Sequence, residues 1–192
     1  MDLIYALKKI SSPSVANGIE TFNVRPRNQG FVSSEIRALF PELGPLVGYA
    51  VTALIRAEPA PVPGHRASTF AWWDYVLSIP APRVVVVHDL DEVRALGFQF
   101  AAAHVSVSHA YVHMVDFGLP VKVGGLWVKP GDLIHADHHG ALAIPSEIAD
   151  RLPEAVASIE ADERKIISCC QSPTFSAEGL KELFKQVRPG TY

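Results

Sequence analysis

Cysteine is the first scarcity. The 192-residue chain has two, Cys169 and Cys170, and they are adjacent. A strain-free bridge between neighbours is disfavoured, so no disulfide framework holds this fold. A reducing compartment such as the cytoplasm fits that absence. An excess of one charge is missing as well. Seventeen Lys and Arg against 20 Asp and Glu leave a formal charge of -3, which gives no field for a phosphate backbone or an anionic lipid surface. Nucleic acid is not an expected partner. Neither is a membrane, because the opening MDLIYALKKI carries Asp2, Lys8 and Lys9 where a signal peptide or span needs an unbroken apolar run. No Gly-x-Ser-x-Gly occurs, and the serines cluster at caps and turns, which argues against a serine nucleophile. No Gly-rich phosphate loop precedes a helix, and no repeat, low-complexity segment or interdomain linker breaks the chain.

What is present is a core. Hydrophobic residues make up 48% of the sequence, enough for one domain of this length. Ser12 as N-cap and Pro13 at the first helical position predict a short helix over 12–22. After a turn between Pro41 and Pro45, residues 47–57 read as a strand. The proline-rich run 58–65 is an irregular loop. Phe70, Trp73 and Leu77 then recur at helical spacing, with Trp72 and Val76 broadening the apolar face, and the Trp72–Trp73 pair reads as core and helix packing. Four valines, residues 84–87, follow Pro82 and read as a fully buried strand that runs straight into His88, Asp89, Leu90 and Asp91. Residues 91–96 predict a short helix ended by Gly97.

From 98 to 145 the pattern is β, with Val105, Val107 and Val115 spaced through it. Gly124–Gly125 marks a hairpin inside VKVGGLWV, Pro130–Gly131 a turn, and Gly140 another after the strand 133–137. The C-terminal part, about 146–187, is helical: Ser146 caps one segment, Pro153 opens a second through about Cys170, with Val156, Ile159, Ile166 and Ile167 on its apolar side, and Ser176 caps a third. The expected architecture is α/β, a single compact domain over 1–192 with a mixed sheet flanked by helices.

Two groups of residues could carry chemistry. Six of the eight histidines lie between His104 and His139. His109 and His113 are four apart, and His135, Asp137, His138 and His139 form a tight knot. Imidazoles beside a carboxylate suit a transition metal; the alternative is that His138 and His139 simply occupy a polar turn before Gly140. The second group is His88, Asp89 and Asp91. In open α/β sheets ligands bind at the carboxyl ends of strands, and an aspartate there suits Mg²⁺, which takes one or two protein carboxylates and fills its other positions with water and substrate oxygens. The alternative is that Asp89 or Asp91 caps the helix that follows.

LKKISSPSVANGIETFNVRPR, LGPLVGYAVTA, DLDEVRALGFQF and VDFGLPVKVGGLWVKPGDLIHADHHGALAIPSEI resemble, in order and spacing, the RraA-like family. That family comprises 4-hydroxy-4-methyl-2-oxoglutarate aldolases, oxaloacetate decarboxylases and the regulator of ribonuclease activity that names it. The most specific part is PGDLIHADHHGALAIP. The resemblance implies a swivelling β/β/α domain, a ring-shaped homotrimer with sites between subunits, a divalent cation of the Mg²⁺ type and a small keto-acid substrate cleaved to pyruvate. It also exposes a departure. Family members place a helix acid, a further strand and a Gly-rich turn before an Arg-Asp pair, whereas here the valine strand leads directly into His88-Asp89-Leu90-Asp91. About one βαβ unit less its first strand, on the order of 30 residues, is absent.

By that correspondence Asp89 stands at the metal-binding aspartate and His88 where the arginine belongs. Histidine lacks the planar fork that grips a carboxylate. Removing one preorganised donor commonly costs ~10²- to 10³-fold in rate, so weak or absent lyase activity is expected, with a non-catalytic binding or regulatory role as the alternative. Asn17 is a lesser departure from the Asp that the family often has there.

Overall fold

A computed structural model of the chain describes residues 2–56, 64, 67–84, 101–102 and 113–187. Its centre is a four-stranded mixed sheet. Strand β2 (Leu46–Ala50) lies between β4 (Arg83–Val84), to which it is parallel, and β9 (Leu133–Asp137), to which it is antiparallel; β10 (Gly140–Ile144) continues the sheet beyond β9. All five residues of β9 are buried. A strand shows its side chains alternately to two faces, so burial throughout requires a layer on each side.

On one face lie Leu133 and His135 of β9, Leu142 and Ile144 of β10, and Val47 of β2, in direct cross-strand register. Helices cover them: α1 (Leu3–Leu7), α2 (Ser12–Glu20) and the start of α4 (Leu152–Gln171) contribute Leu7, Val15, Ile19, Leu152 and Val156 to one core. Gly18 makes the α2–α4 contact close. A Cβ there would fall 2.6 Å from Val156 Cγ2 and 2.7 Å from Leu152 Cδ1, nearer than real side chains pack. The other face is covered by Val32 and Ile36, and by Leu126 and Val128 of the hairpin β7 (Val121–Val123) and β8 (Leu126–Val128), packed on Ala141 and Ala143. Its turn is the expected one, with Gly124 at φ 53° and Gly125 at φ 87°, a pair of left-handed residues that suits a two-residue hairpin. Two further pairs complete the described strands: β1 (Arg37–Ala38) with β5 (Ala101–Ala102), and β3 (Ala53–Arg56) with β6 (His113–Phe117).

Several sequence expectations change in detail. The helix after Ile10 is capped by Ser11, whose hydroxyl accepts from the Ser14 amide; Ser12 is its first residue and is buried. Residues 47–57 are not one strand, because the chain turns at Val51–Thr52 and β3 leaves to pair with β6. Ser146 does not cap a helix. A 3-10 turn, Ala149–Arg151, leads into α4 without a side-chain cap, and Pro153 sits in the first turn of α4 as expected. Ser176 does cap α5 (Ala177–Val187), accepting from the Gly179 amide at 3.0 Å. Of the valine run, Val84 is the last described residue of β4 and the remainder lies outside the described residues, as do the expected helix over 91–96, Val105, Val107, His104 and His109.

Helix α3 (Thr69–Ser78) forms where expected, capped by Ser68, but its apolar stripe does not face the core. Phe70, Trp73 and Leu77 are 73%, 55% and 69% exposed. The contact inward runs through Trp72 and Tyr75, which meet Phe117 of β6 at ring separations of 5.6 and 5.3 Å. Among the described residues the helix meets the β3–β6 pair through this one edge. Both cysteines are free, as their adjacency requires.

Burial along α4 divides in the same way: Leu152 is fully buried whereas Ile167 is 53% exposed. Leu152→Ala should therefore lower unfolding stability by ~2–5 kcal/mol, while Ile167→Ala should change it by about 0.5 kcal/mol or less. Urea unfolding of the two variants beside the parent chain measures both.

Candidate functional site

The knot of polar residues on β9 separates into two parts with different work. His135 is fully buried. Its Nε2 lies 2.9 Å from the Ile10 carbonyl and 3.3 Å from that of Leu7. Carbonyls only accept, so Nε2 carries the proton and Nδ1 is the acceptor. The Ser12 hydroxyl, 2.9 Å from Nδ1, then donates to it. Burial pushes the His135 pKa down; the two carbonyls and the Asp137 charge pull the other way without reversing it. The imidazole is thus a neutral clamp that ties the α1–α2 connection to the sheet.

Asp137 completes the tie. One carboxylate oxygen, Oδ2, accepts the Ser12 amide at 2.8 Å, and the other, Oδ1, accepts the His139 amide at 2.8 Å. Burial alone would raise its pKa. The amides of Ser12 and His139, with their side chains, outweigh that and hold the carboxyl below its ordinary range. Serine, histidine and aspartate meet here without forming a nucleophilic triad. Ser12 is 5% exposed, and the carboxylate holds the serine amide rather than the far ring nitrogen, which already faces two carbonyls.

His138 and His139 are different. They form the two-residue turn between β9 and β10 and are exposed, with ring centroids 3.8 Å apart. His139 Nδ1 lies 3.2 Å from Asp137 Oδ1. Among the described residues, Asp137, His138 and His139 are the group of three whose ligand atoms all fall within 4.8 Å of one another. The expected knot of four is thus a group of three, with His135 withdrawn into the core. His113 lies in β6, within the stretch 98–145 whose pattern is β.

The other expected site starts at the carboxyl end of β4. The Val51 amide donates to the Val84 carbonyl at 3.1 Å, so the last described residue of β4 lies beside the end of β2. His88 and Asp89 follow four and five positions after Val84 and lie outside the described residues. Beside that strand end the Thr52 amide donates to the Tyr75 hydroxyl at 3.1 Å, the two hydroxyls share a 3.2 Å hydrogen bond, and the Gly118 amide donates to the Thr52 carbonyl at 3.0 Å. These groups are neutral.

A cleft of about 510 Å³ opens elsewhere, lined among others by Arg25, Tyr49, Asp132, Glu147 and Asp150. Arg25 is half-buried and donates from Nη1 to the Ala143 carbonyl at 2.8 Å. Burial lowers its pKa, and Glu147 opposes that. Gly30 makes the room, since a Cβ there would fall 2.0 Å from the guanidinium carbon. Three carboxylates against one guanidinium make this cleft a poor host for a keto-acid anion. Sequence reasoning missed Arg25 and the Ser12–His135 bond. Partners more than 100 positions apart leave no spacing signal. The one available hint was Ser11-Ser12-Pro13, two serines where one cap suffices.

Residues 83–143 match the model of the RraA-like family, described as Aldolase/RraA. None of the curated proteins matches the sequence. Among solved structures, an uncharacterized protein from Pseudomonas syringae pv. tomato str. DC3000 is similar at 16% identity with a TM-score of 0.64, over 96% of this chain and 93% of that one. A chain described among novel cellulases from microbes of the gut ecosystem is similar at 18% identity, TM-score 0.63, over 85% and 86%. RraAS2 of Streptomyces coelicolor, described as an unusual member of the RNase ES inhibitor RraA protein family, is similar at 19% identity, TM-score 0.61, over 88% and 98%. The fold is the RraA-like one, a mixed α/β domain, and the matched segment is RraA-like in sequence.

The buried clamp predicts a pH dependence of stability. A folded pKa below the unfolded one means that His135 contributes its full stability above about pH 6.5 and loses it progressively as the pH falls. Asp137 acts with the same sign, only below the carboxylate range near 3.9. The unfolding free energy should therefore decline from pH 7 to pH 5. His135→Ala, which leaves the Ser12 hydroxyl without its acceptor and opens a cavity, should cost ~2–4 kcal/mol at pH 7 and flatten that decline, as urea titrations at several pH values would read.

Proposed function

We propose that this RraA-like chain is a weak divalent-metal-dependent lyase that releases pyruvate from a small keto acid by decarboxylation or retro-aldol cleavage. Its support is the family match over residues 83–143, the stretch that contains both His88 and Asp89. It begins in β4, the strand parallel to β2, whose carboxyl end is the usual ligand position in a sheet of this kind. In this reading Asp89 supplies the carboxylate for Mg²⁺, which when bound offers Lewis acidity to the electrons of the breaking carbon-carbon bond. His88 donates a single hydrogen bond to the substrate carboxylate in place of a two-pronged guanidinium. The working form is a homotrimer in the cytoplasm, the assembly that the resemblance implies.

A second reading is a binding or regulatory scaffold without catalysis. The α3 surface favours it: Phe70, Trp73 and Leu77 stand exposed on one stripe, as residues of a contact face do. RraAS2, at 19% identity, is described as belonging to an inhibitor family.

Pyruvate release from oxaloacetate in the presence of Mg²⁺, against a protein-free control with the same Mg²⁺, separates the two. The lyase reading expects a rate above the control that disappears with chelator and in Asp89→Ala. It also expects His88→Arg to raise kcat/KM on the order of tenfold or more by restoring the fork. Equal rates with and without protein would end it and leave the scaffold reading.

A further inference from the structure

We propose that Asp137, His138 and His139 form a binding site for a divalent transition metal of the zinc type, built from other residues than the Mg²⁺ ligand Asp89 of the proposed lyase. Asp137 ends β9 and the two histidines make the whole of the turn into β10. All three ligand atoms are therefore carried by consecutive residues of one tight hairpin, whose strands are paired along their full length. Little chain entropy remains to be lost when the ligands converge.

The carboxylate is already oriented. The Ser12 amide holds Oδ2 and the His139 amide holds Oδ1, each at 2.8 Å, and each oxygen keeps a second lone pair. Such outer hydrogen bonds are what fix a metal-ligating carboxylate. The imidazoles are the adjustable part. Ligand bonds of about 2.0–2.2 Å in a tetrahedron put ligand atoms roughly 3.3–3.6 Å apart. His139 Nδ1 is already 3.2 Å from Asp137 Oδ1, and the widest separation in the group is no more than 4.8 Å. Rotation of exposed imidazoles, neither of which is packed in the core, closes that gap. His135 does not join, because both its nitrogens are engaged by Ser12, Ile10 and Leu7.

Donor type sets the selectivity. Two imidazoles and one carboxylate favour Zn²⁺ and its first-row neighbours, whereas Mg²⁺ prefers oxygen ligands and gives up its water reluctantly. Three protein ligands leave at least one position for water or a small anion. On binding, His139 Nδ1 exchanges its contact with Asp137 for a bond to the metal, so the carboxylate and imidazole that face each other in the free protein come to share one ion.

The test uses the full chain, freed of metal by chelation and dialysis, and Zn²⁺ alone as the probe in isothermal titration calorimetry. The double variant His138→Ala/His139→Ala keeps the backbone amides of Ser12 and of position 139 that hold Asp137, and so should fold and unfold cooperatively without metal. The parent should bind Zn²⁺ at micromolar concentration, undisturbed by millimolar Mg²⁺, and melt at higher temperature with it. The double variant should bind one equivalent fewer, or bind at least tenfold more weakly, and lose that thermal shift. No Zn²⁺ binding by the parent, displacement by Mg²⁺, or undiminished stoichiometry and affinity in the double variant would each overturn the proposal; the last would assign the binding to other histidines. None of these measurements involves lyase activity, so they stand or fall independently of the chemistry at Asp89.

Discussion

The fold depends on a strand that is buried along both faces and therefore has to satisfy its polar side chains internally. β9 carries His135 and Asp137 on the face that meets the helices. In an apolar interior either would be costly without partners. Both find them in the same short piece of chain, the connection from α1 into α2: the carbonyls of Leu7 and Ile10, and the hydroxyl and amide of Ser12. The helix layer is thereby set in one register on the sheet, which apolar packing of Val15, Ile19 and Leu152 alone would leave less defined. The described residues contain no buried side-chain nitrogen or oxygen without a hydrogen-bond partner.

That arrangement also governs where chemistry is available. Polar groups near the centre of the sheet are committed to structure, so reactive capacity moves to the periphery. At one end of β9 the chain turns sharply, and two imidazoles emerge beside a carboxylate whose orientation the core has already decided. Among the described residues past the end of β2, the Thr52 and Tyr75 hydroxyls meet, with Trp72 packed on Phe117.

The structural neighbours show how far such a scaffold tolerates substitution. Three chains at 16–19% identity share the fold over most of their lengths. A two-layer cover over a mixed sheet asks for apolar residues at alternating positions and small residues at close crossings, a requirement many sequences meet. Activity is a narrower demand. The RraA-like family includes both lyases and non-catalytic regulators, so the fold alone does not fix the activity.

Composition, periodicity and turn chemistry by themselves determined that this is one α/β domain, where its glycine hairpin falls, that Pro153 opens a long helix and Ser176 caps the last, and that its cysteines stay free. Each is a local property: a φ that only glycine adopts readily, a missing amide hydrogen, a hydroxyl within reach of the next turn. Only the tertiary structure decided that Ser12 is a core residue while Ser11 is the cap, that His135 leaves the histidine knot for the interior, that the α3 stripe faces outward, and that residues 47–57 divide between two sheets. Those outcomes hang on partners distant along the chain, such as Ser12 with Asp137 or Thr52 with Tyr75. A contact across 125 positions leaves no trace in local spacing, because the hydrogen bond selects a geometry of the folded chain and not a pattern of neighbouring letters.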